Sequence, residues 1–181
     1  MTTKSYNKFR NDLNTGAKAE QAVAAFLRTC TGVTSVTIPA AKKTGKERRD
    51  YERVNGDLLV HKNNKRMRFE IKSDGSMNKT GNLFLETLSD DGSRTGRETI
   101  GWFDNPDAQY EWFVFYNRAN PYKSIIVKRI ELKQWVDANR KSFTLVPMSY
   151  NQKQANRSWG LLVPYAKLVA EVPSAKHLPI I

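Results

Sequence analysis

The stretch from Gly56 to Lys72, GDLLVHKNNKRMRFEIK, constrains this chain more than any other. Asn is one of the few non-glycine residues that tolerates a positive φ, so Asn63-Asn64 predicts a tight turn between two strands. Pairing Lys62 with Lys65 sets Asp57 opposite Glu70. Side chains alternate along a strand, so Leu58, Val60, Met67, Phe69 and Ile71 form an apolar face. Asp57, Leu59, His61, Arg68, Glu70 and Lys72 form the other. Opposed Cβ atoms lie about 4.5–5.5 Å apart, close enough for both carboxylates to hold one cation. Without a cation the two acids repel each other. Oxygen ligands with no His or Cys cluster favour Mg²⁺, or Mn²⁺ in its place, over zinc. Such a metal lowers the pKa of a bound water and stabilises charge on a phosphoryl oxygen. Lys72 is placed to orient the water, help deprotonate it, or neutralise transition-state charge. The plainer alternative is a solvated hairpin with cross-strand charge pairs.

Asp57 followed by the triplet Glu70-Ile71-Lys72 resembles the PD-(D/E)XK nuclease superfamily, which includes restriction endonucleases, phage exonucleases and Holliday-junction resolvases. The resemblance implies a restriction-endonuclease-like core, an α/β fold with a mixed central β-sheet flanked by helices. It also implies that Asp57, Glu70 and the carbonyl of Ile71 coordinate the metal, with Lys72 beside the water. The family usually has proline before its first acid; Gly56 stands there instead.

The chain has 181 residues, enough for one domain with a real core. Thirty Lys and Arg against 18 Asp and Glu give a formal net charge of +12, and the pI is near 9.9. That balance is the electrostatic footprint of a nucleic-acid-binding protein. No apolar run approaches the roughly 20 residues that span a bilayer, and no basic amphipathic helix with a bulky apolar face is present, so no membrane role is expected. The N-terminus lacks the apolar centre of a signal peptide, so the expected location is the cytoplasm of a bacterial or phage-infected cell. A single cysteine, Cys30, excludes an internal disulfide and a cysteine-rich zinc site.

In chain order, residues 1–14, with Lys4, Lys8 and Arg10, read as a flexible basic arm. A helix is predicted from about Gly16 to Thr31, capped by Asn14 or Thr15 and ended by Gly32. Its apolar stripe is Ala19, Ala22, Val23, Phe26, Leu27 and Cys30. Glu20 borders that stripe and matches the glutamate that the superfamily often carries on its first helix. The resemblance makes it a third acid of the catalytic and metal cluster; otherwise it is a solvated helix glutamate. After a strand over Val33–Ile38, a polar loop bears Lys42, Lys43, Lys46, Arg48, Arg49 and Arg53, suited to backbone phosphates.

Asn82–Leu88 reads as the third strand of a meander. TGNLFLE, residues 80–86, resembles a segment found in some phage-type members, with Glu86 either a further acid or a partner for Lys72. Lys79 and Thr80 are candidate substrate contacts. Residues 89–109 read as a long polar connection, with Arg94 and Arg97 near the substrate and Trp102-Phe103 anchored in the core. Tyr110–Asn117 is apolar on both faces apart from Glu111 and Asn117, as in a central strand. Further elements are a strand over Ser124–Arg129, a helix over Ile130–Arg140, strands at Phe143–Pro147 and Gly160–Val163, and a helix from Pro164 to Ala170. The remainder, from Pro173, reads as a disordered tail.

Together these readings point to a metal-dependent DNA endonuclease, with structure-selective cleavage of branched DNA as one form. A homodimer is expected if both strands are cut, with no small-molecule cofactor. The alternatives are a non-catalytic nucleic-acid-binding protein on the same fold and an RNA-directed nuclease.

Overall fold

The computed structural model describes residues 3–38, 47, 55–93, 96–104, 108–117, 120–148 and 157–179, without the side chains of residues 3–13, 117 and 120. A long helix, α1 (Thr3–Thr29), leads into β1 (Val33–Thr37). The hairpin follows as β2 (Leu58–Lys62) and β3 (Lys65–Asp74). A short helix α2 (Met77–Thr80) precedes β4 (Asn82–Asp91) and β5 (Glu98–Ile100). Then come β6 (Tyr110–Asn117), β7 (Asn120–Lys128), helix α3 (Arg129–Asn139), β8 (Thr144–Pro147), β9 (Trp159–Pro164), helix α4 (Tyr165–Glu171) and β10 (Lys176–Pro179).

The result is an α/β fold with a mixed six-stranded sheet, β1-β2-β3-β6-β7-β10, and a second, four-stranded sheet, β5-β4-β9-β8. Only β3 and β6 run parallel in the larger sheet, with Glu70 beside Glu111 and Lys72 beside Phe113. The hairpin has the expected register, Leu58 opposite Phe69 and Lys62 opposite Lys65. Asn63 and Asn64 adopt φ of 50° and 61°, the left-handed pair that a two-residue hairpin turn demands.

Each face of the larger sheet has its own core. Leu58, Val60, Phe69 and Ile71 pack under Ala19, Val23 and Leu27 of α1, with Trp112 and Val114 beside them. On the opposite face, Phe113, Phe115, Ile125 and Val127 pack against Leu83 and Leu85 of β4, Leu161 and Val163 of β9, Leu132 of α3 and Leu168 of α4. Strand β6 is buried on both sides and sits centrally, as its apolar run requires.

Four expectations are corrected. The helix begins at Thr3, so residues 3–14 are helical rather than an arm; no proline interrupts them. Strand β4 is not the third strand of a meander: β6 takes the place beside β3. Strand β4 buries alternate residues, Leu83, Leu85 and Thr87, and such a half-buried strand covers a sheet rather than filling its centre. The connection over 89–109 is partly a hairpin, because β4 continues to Asp91 and pairs back with β5. The tail forms β10 on the edge of the larger sheet, its Leu178 carbonyl accepting from the Ser124 hydroxyl at 3.2 Å. No helix among the described residues is long and apolar enough to cross a membrane.

Candidate active site

The proposed acids meet on the face of β3 turned toward the second sheet. Asp57 stands just before β2; its N–H donates to the Phe69 carbonyl at 2.9 Å. Its Oδ2 accepts from the Ile71 N–H at 2.8 Å, which locks the carboxylate beside β3. Glu70 projects from β3 next to it and receives a hydrogen bond from the Lys72 ammonium at 2.5 Å. Glu70 and Lys72 keep about a quarter of their side-chain surface exposed, and Lys72 lines a cleft. A cavity of about 430 Å³ opens there, lined by Lys72, Ser73, Thr80, Asn82 and Trp102.

The backbone before Asp57 explains the missing proline. Gly56 has φ +69°, and a Cβ there would meet the Phe69 carbonyl oxygen at 2.7 Å. Proline is fixed near φ −65° and cannot take that conformation. The chain therefore enters the hairpin by a route that only glycine allows without strain.

The electrostatics are those of crowded carboxylates. Burial first, then the neighbouring Glu70, push Asp57 well above the ordinary carboxylate range, and Glu20 on α1 adds to the rise. Lys72 and the Ile71 N–H oppose it. Glu70, Lys72 and Glu20 thus all act on Asp57 as one electrostatic unit. Burial pulls the Lys72 ammonium down, but Glu70, Asp57 and Glu111 outweigh it, and the group lies above the ordinary lysine value. A lysine so surrounded is charged and donates hydrogen bonds; this favours orienting a water or neutralising charge over deprotonating it.

Glu86 joins the same unit from the second sheet: burial raises its pKa and the nearby Lys72 lowers it. The Trp102 ring lies 4.6 Å from the Lys72 ammonium, and Phe103 is fully buried, so this pair anchors in the core as expected.

Two residues escaped the sequence reading. Glu111 on β6 lies alongside Glu70 and is buried, as is Arg129 at the start of α3. Arg129 donates to Glu111 and to the Phe103 carbonyl, and to the Trp102 carbonyl at 3.3 Å. Burial pushes Glu111 up to about 7, although Arg129 beside it pulls the other way. Its Oε2, and the Arg129 Nε, are buried without a partner. A lone acid within the apolar run YEWFVFYN was the available signal.

Among the expected nucleic-acid contacts, Lys79 is exposed on α2 and Arg97 is exposed just before β5. Lys42, Lys43, Lys46, Arg48, Arg49, Arg53 and Arg94 lie outside the described residues. No group of three or more His, Cys, Asp and Glu among the described residues is arranged to hold a metal. A cation here would draw on Asp57, Glu70, the Ile71 carbonyl and water. That oxygen-only set suits Mg²⁺, which keeps several waters and takes one or two carboxylates. Burial and then Glu70 raise Asp57, and the Lys72 ammonium already supplies one positive charge beside both acids. Comparison with known protein families, with curated proteins and with solved structures finds no match.

Proposed function

We propose that this chain is a Mg²⁺-dependent endonuclease that hydrolyses phosphodiester bonds in DNA, built on a restriction-endonuclease-like core. The observation that carries the reading is the convergence of Asp57 and Glu70 on Lys72, which lines a cleft, with Glu20 acting on Asp57 from α1. Structural ion pairs match charges, whereas here acids outnumber the lysine that they share.

Asp57 and Glu70, with the Ile71 carbonyl, would hold the cation, with Glu20 beside them directly or through water. The cation would supply charge neutralisation at the phosphoryl oxygens and a more acidic bound water. The Lys72 ammonium orients the attacking water and donates to a phosphoryl oxygen as charge builds. The water oxygen attacks phosphorus in line and gives up a proton to solvent, the opposite P–O bond breaks, and the leaving oxygen takes a proton from solvent. The Ile71 N–H fixes the Asp57 carboxylate, and Trp102 limits the rotamers of Lys72. The formal net charge of +12 favours a polyanionic substrate.

The test is cleavage of supercoiled plasmid and of a four-way junction in Mg²⁺, Mn²⁺ or EDTA, beside Asp57→Ala and Lys72→Ala. Nicking that needs metal and is lost in both variants is expected. DNA binding without cleavage in either metal would instead make the chain a non-catalytic binding protein.

A further inference from the structure

A second concavity, of about 670 Å³, opens where β3 and β6 begin and α3 starts. Six cationic side chains line it: Lys65, Arg66, Arg68, Lys128, Arg129 and Lys133. Asp137 is the only acid in the lining, and it already holds Lys133 at 2.7 Å. Between the cations lie Tyr110 and Ile130, the latter 65% exposed. The inner wall includes Arg129, whose buried Nε has no partner. By strand alternation Arg66 and Arg68 share a face with Glu70 and Lys72. Arg68 is two residues from Glu70, about 7 Å along the strand. A chain bound across the acids would therefore pass Arg68 and Arg66 at the edge of this groove, with Tyr110 beside Phe69 on the sheet's other face.

We propose that the groove holds an unpaired stretch of nucleic-acid strand beside the cleaved bond, so that the substrate class is nucleic acid with a single-stranded segment. The inference rests on the nuclease reading for its second half, the bond that is cut. Duplex DNA buries its base faces and offers mainly phosphates, for which an exposed isoleucine and an aromatic ring have no use. An unpaired strand offers phosphates for the cations and flat base faces for Ile130 and for the outer face of Tyr110, whose inner face stacks on Phe69 at 5.0 Å. The volume lies within the roughly 300–1,000 Å³ that encloses a small ligand, the scale of a few bases and not of a duplex.

The test is fluorescence polarisation in EDTA, where no cleavage intervenes. The full chain is titrated with a labelled oligothymidylate, with a hairpin duplex of equal phosphate count, and with a poly-glutamate peptide as competitor. The groove variant is Lys65→Glu with Ile130→Glu, both exposed positions, and its thermal midpoint is checked against the parent. The expected result is about tenfold weaker binding of the oligothymidylate and an unchanged duplex affinity. A milder Ile130→Ala should weaken oligothymidylate alone, by severalfold. Equal losses for both nucleic acids, no loss for either, or competition by poly-glutamate as strong as by oligothymidylate would each overturn the proposal. Asp57→Ala separates the two readings, because it should abolish cleavage and leave oligothymidylate binding intact. Groove-dependent binding with no metal-dependent cleavage by the parent would uphold the groove and remove the nuclease.

Discussion

Replacing Arg129 by Met tests whether the site is held from behind. Arg129 is buried and bridges Glu111 on β6 to the carbonyls of Trp102 and Phe103. Methionine has a comparable reach but no donors, so Glu111 would be left buried with neither oxygen satisfied. Removing one partner of a buried ion pair costs about 3–5 kcal/mol. The two released carbonyls bring the loss to about 4–6 kcal/mol, a large part of the ~5–15 kcal/mol that holds a domain together. The effect should depend on pH in a defined direction. Burial already raises Glu111 to about 7 in the parent. Between its unfolded value near 4.5 and that folded value, the folded chain holds a proton that the unfolded chain has released. Stability therefore falls as pH rises through this window, by up to about 1.4 kcal/mol per unit. Without Arg129 the folded value climbs further, so the variant keeps losing stability above pH 7, where the parent has levelled off. Urea unfolding followed by tryptophan fluorescence at pH 6 and pH 8.5 measures both. Glu111→Gln combined with Arg129→Met should recover about 1–2 kcal/mol at pH 8.5, since it removes the uncompensated charge. A loss under about 1 kcal/mol, or an equal loss at the two pH values, would refute the reasoning.

Other outcomes follow from the same geometry. Asp57→Asn keeps an acceptor for the Ile71 N–H and removes one of the crowded charges; its thermal midpoint in EDTA should rise by about 2–4 °C, while the gain that Mg²⁺ gives the parent should vanish. Gly56→Ala forces a side chain into φ +69° against the Phe69 carbonyl, and urea unfolding should show a loss of about 1–3 kcal/mol. Ile125→Ala opens the core between β7 and the second sheet and should cost about 2–5 kcal/mol by the same assay.

The hairpin was legible in the sequence because its signals are local: two asparagines at the turn and a period-two alternation that fixes register and face. Strand β6 was legible for a similar reason, its apolar run fitting only the centre of a sheet. What could not be read was which strands become neighbours. Nothing in the sequence of β4 says that it leaves β3 for a second sheet, because its alternating pattern suits any half-buried strand. The same gap hid Arg129. Its partner Glu111 is 18 residues away in the chain, and only the antiparallel return of β7 brings the two together. Asp57 and Glu70 could be paired from the sequence because one hairpin carries both; Glu20 was placed by its position on the border of the helix stripe and by the family resemblance, and in the fold it acts on Asp57.

The distribution of charge bears on what the site is for. The chain carries 30 basic and 18 acidic residues, yet Glu70, Asp57, Glu111 and Glu86 all act on the single ammonium of Lys72. A fold that needed only stability would spread these acids among its many cations, since like charges held together weaken the native state. A phosphodiester drawn in by the basic surface would be repelled at this point unless a cation stood between it and the acids. On the nuclease reading proposed above, attraction at long range and repulsion at the centre would together call for a divalent cation bound with the substrate. Nucleic-acid binding measured near the acids should accordingly tighten when Mg²⁺ or Ca²⁺ is added, and the same addition should only weaken binding elsewhere by screening. Asp57→Asn should convert the first behaviour into the second; an undiminished gain from the cation in that variant would place the cation somewhere other than between these carboxylates.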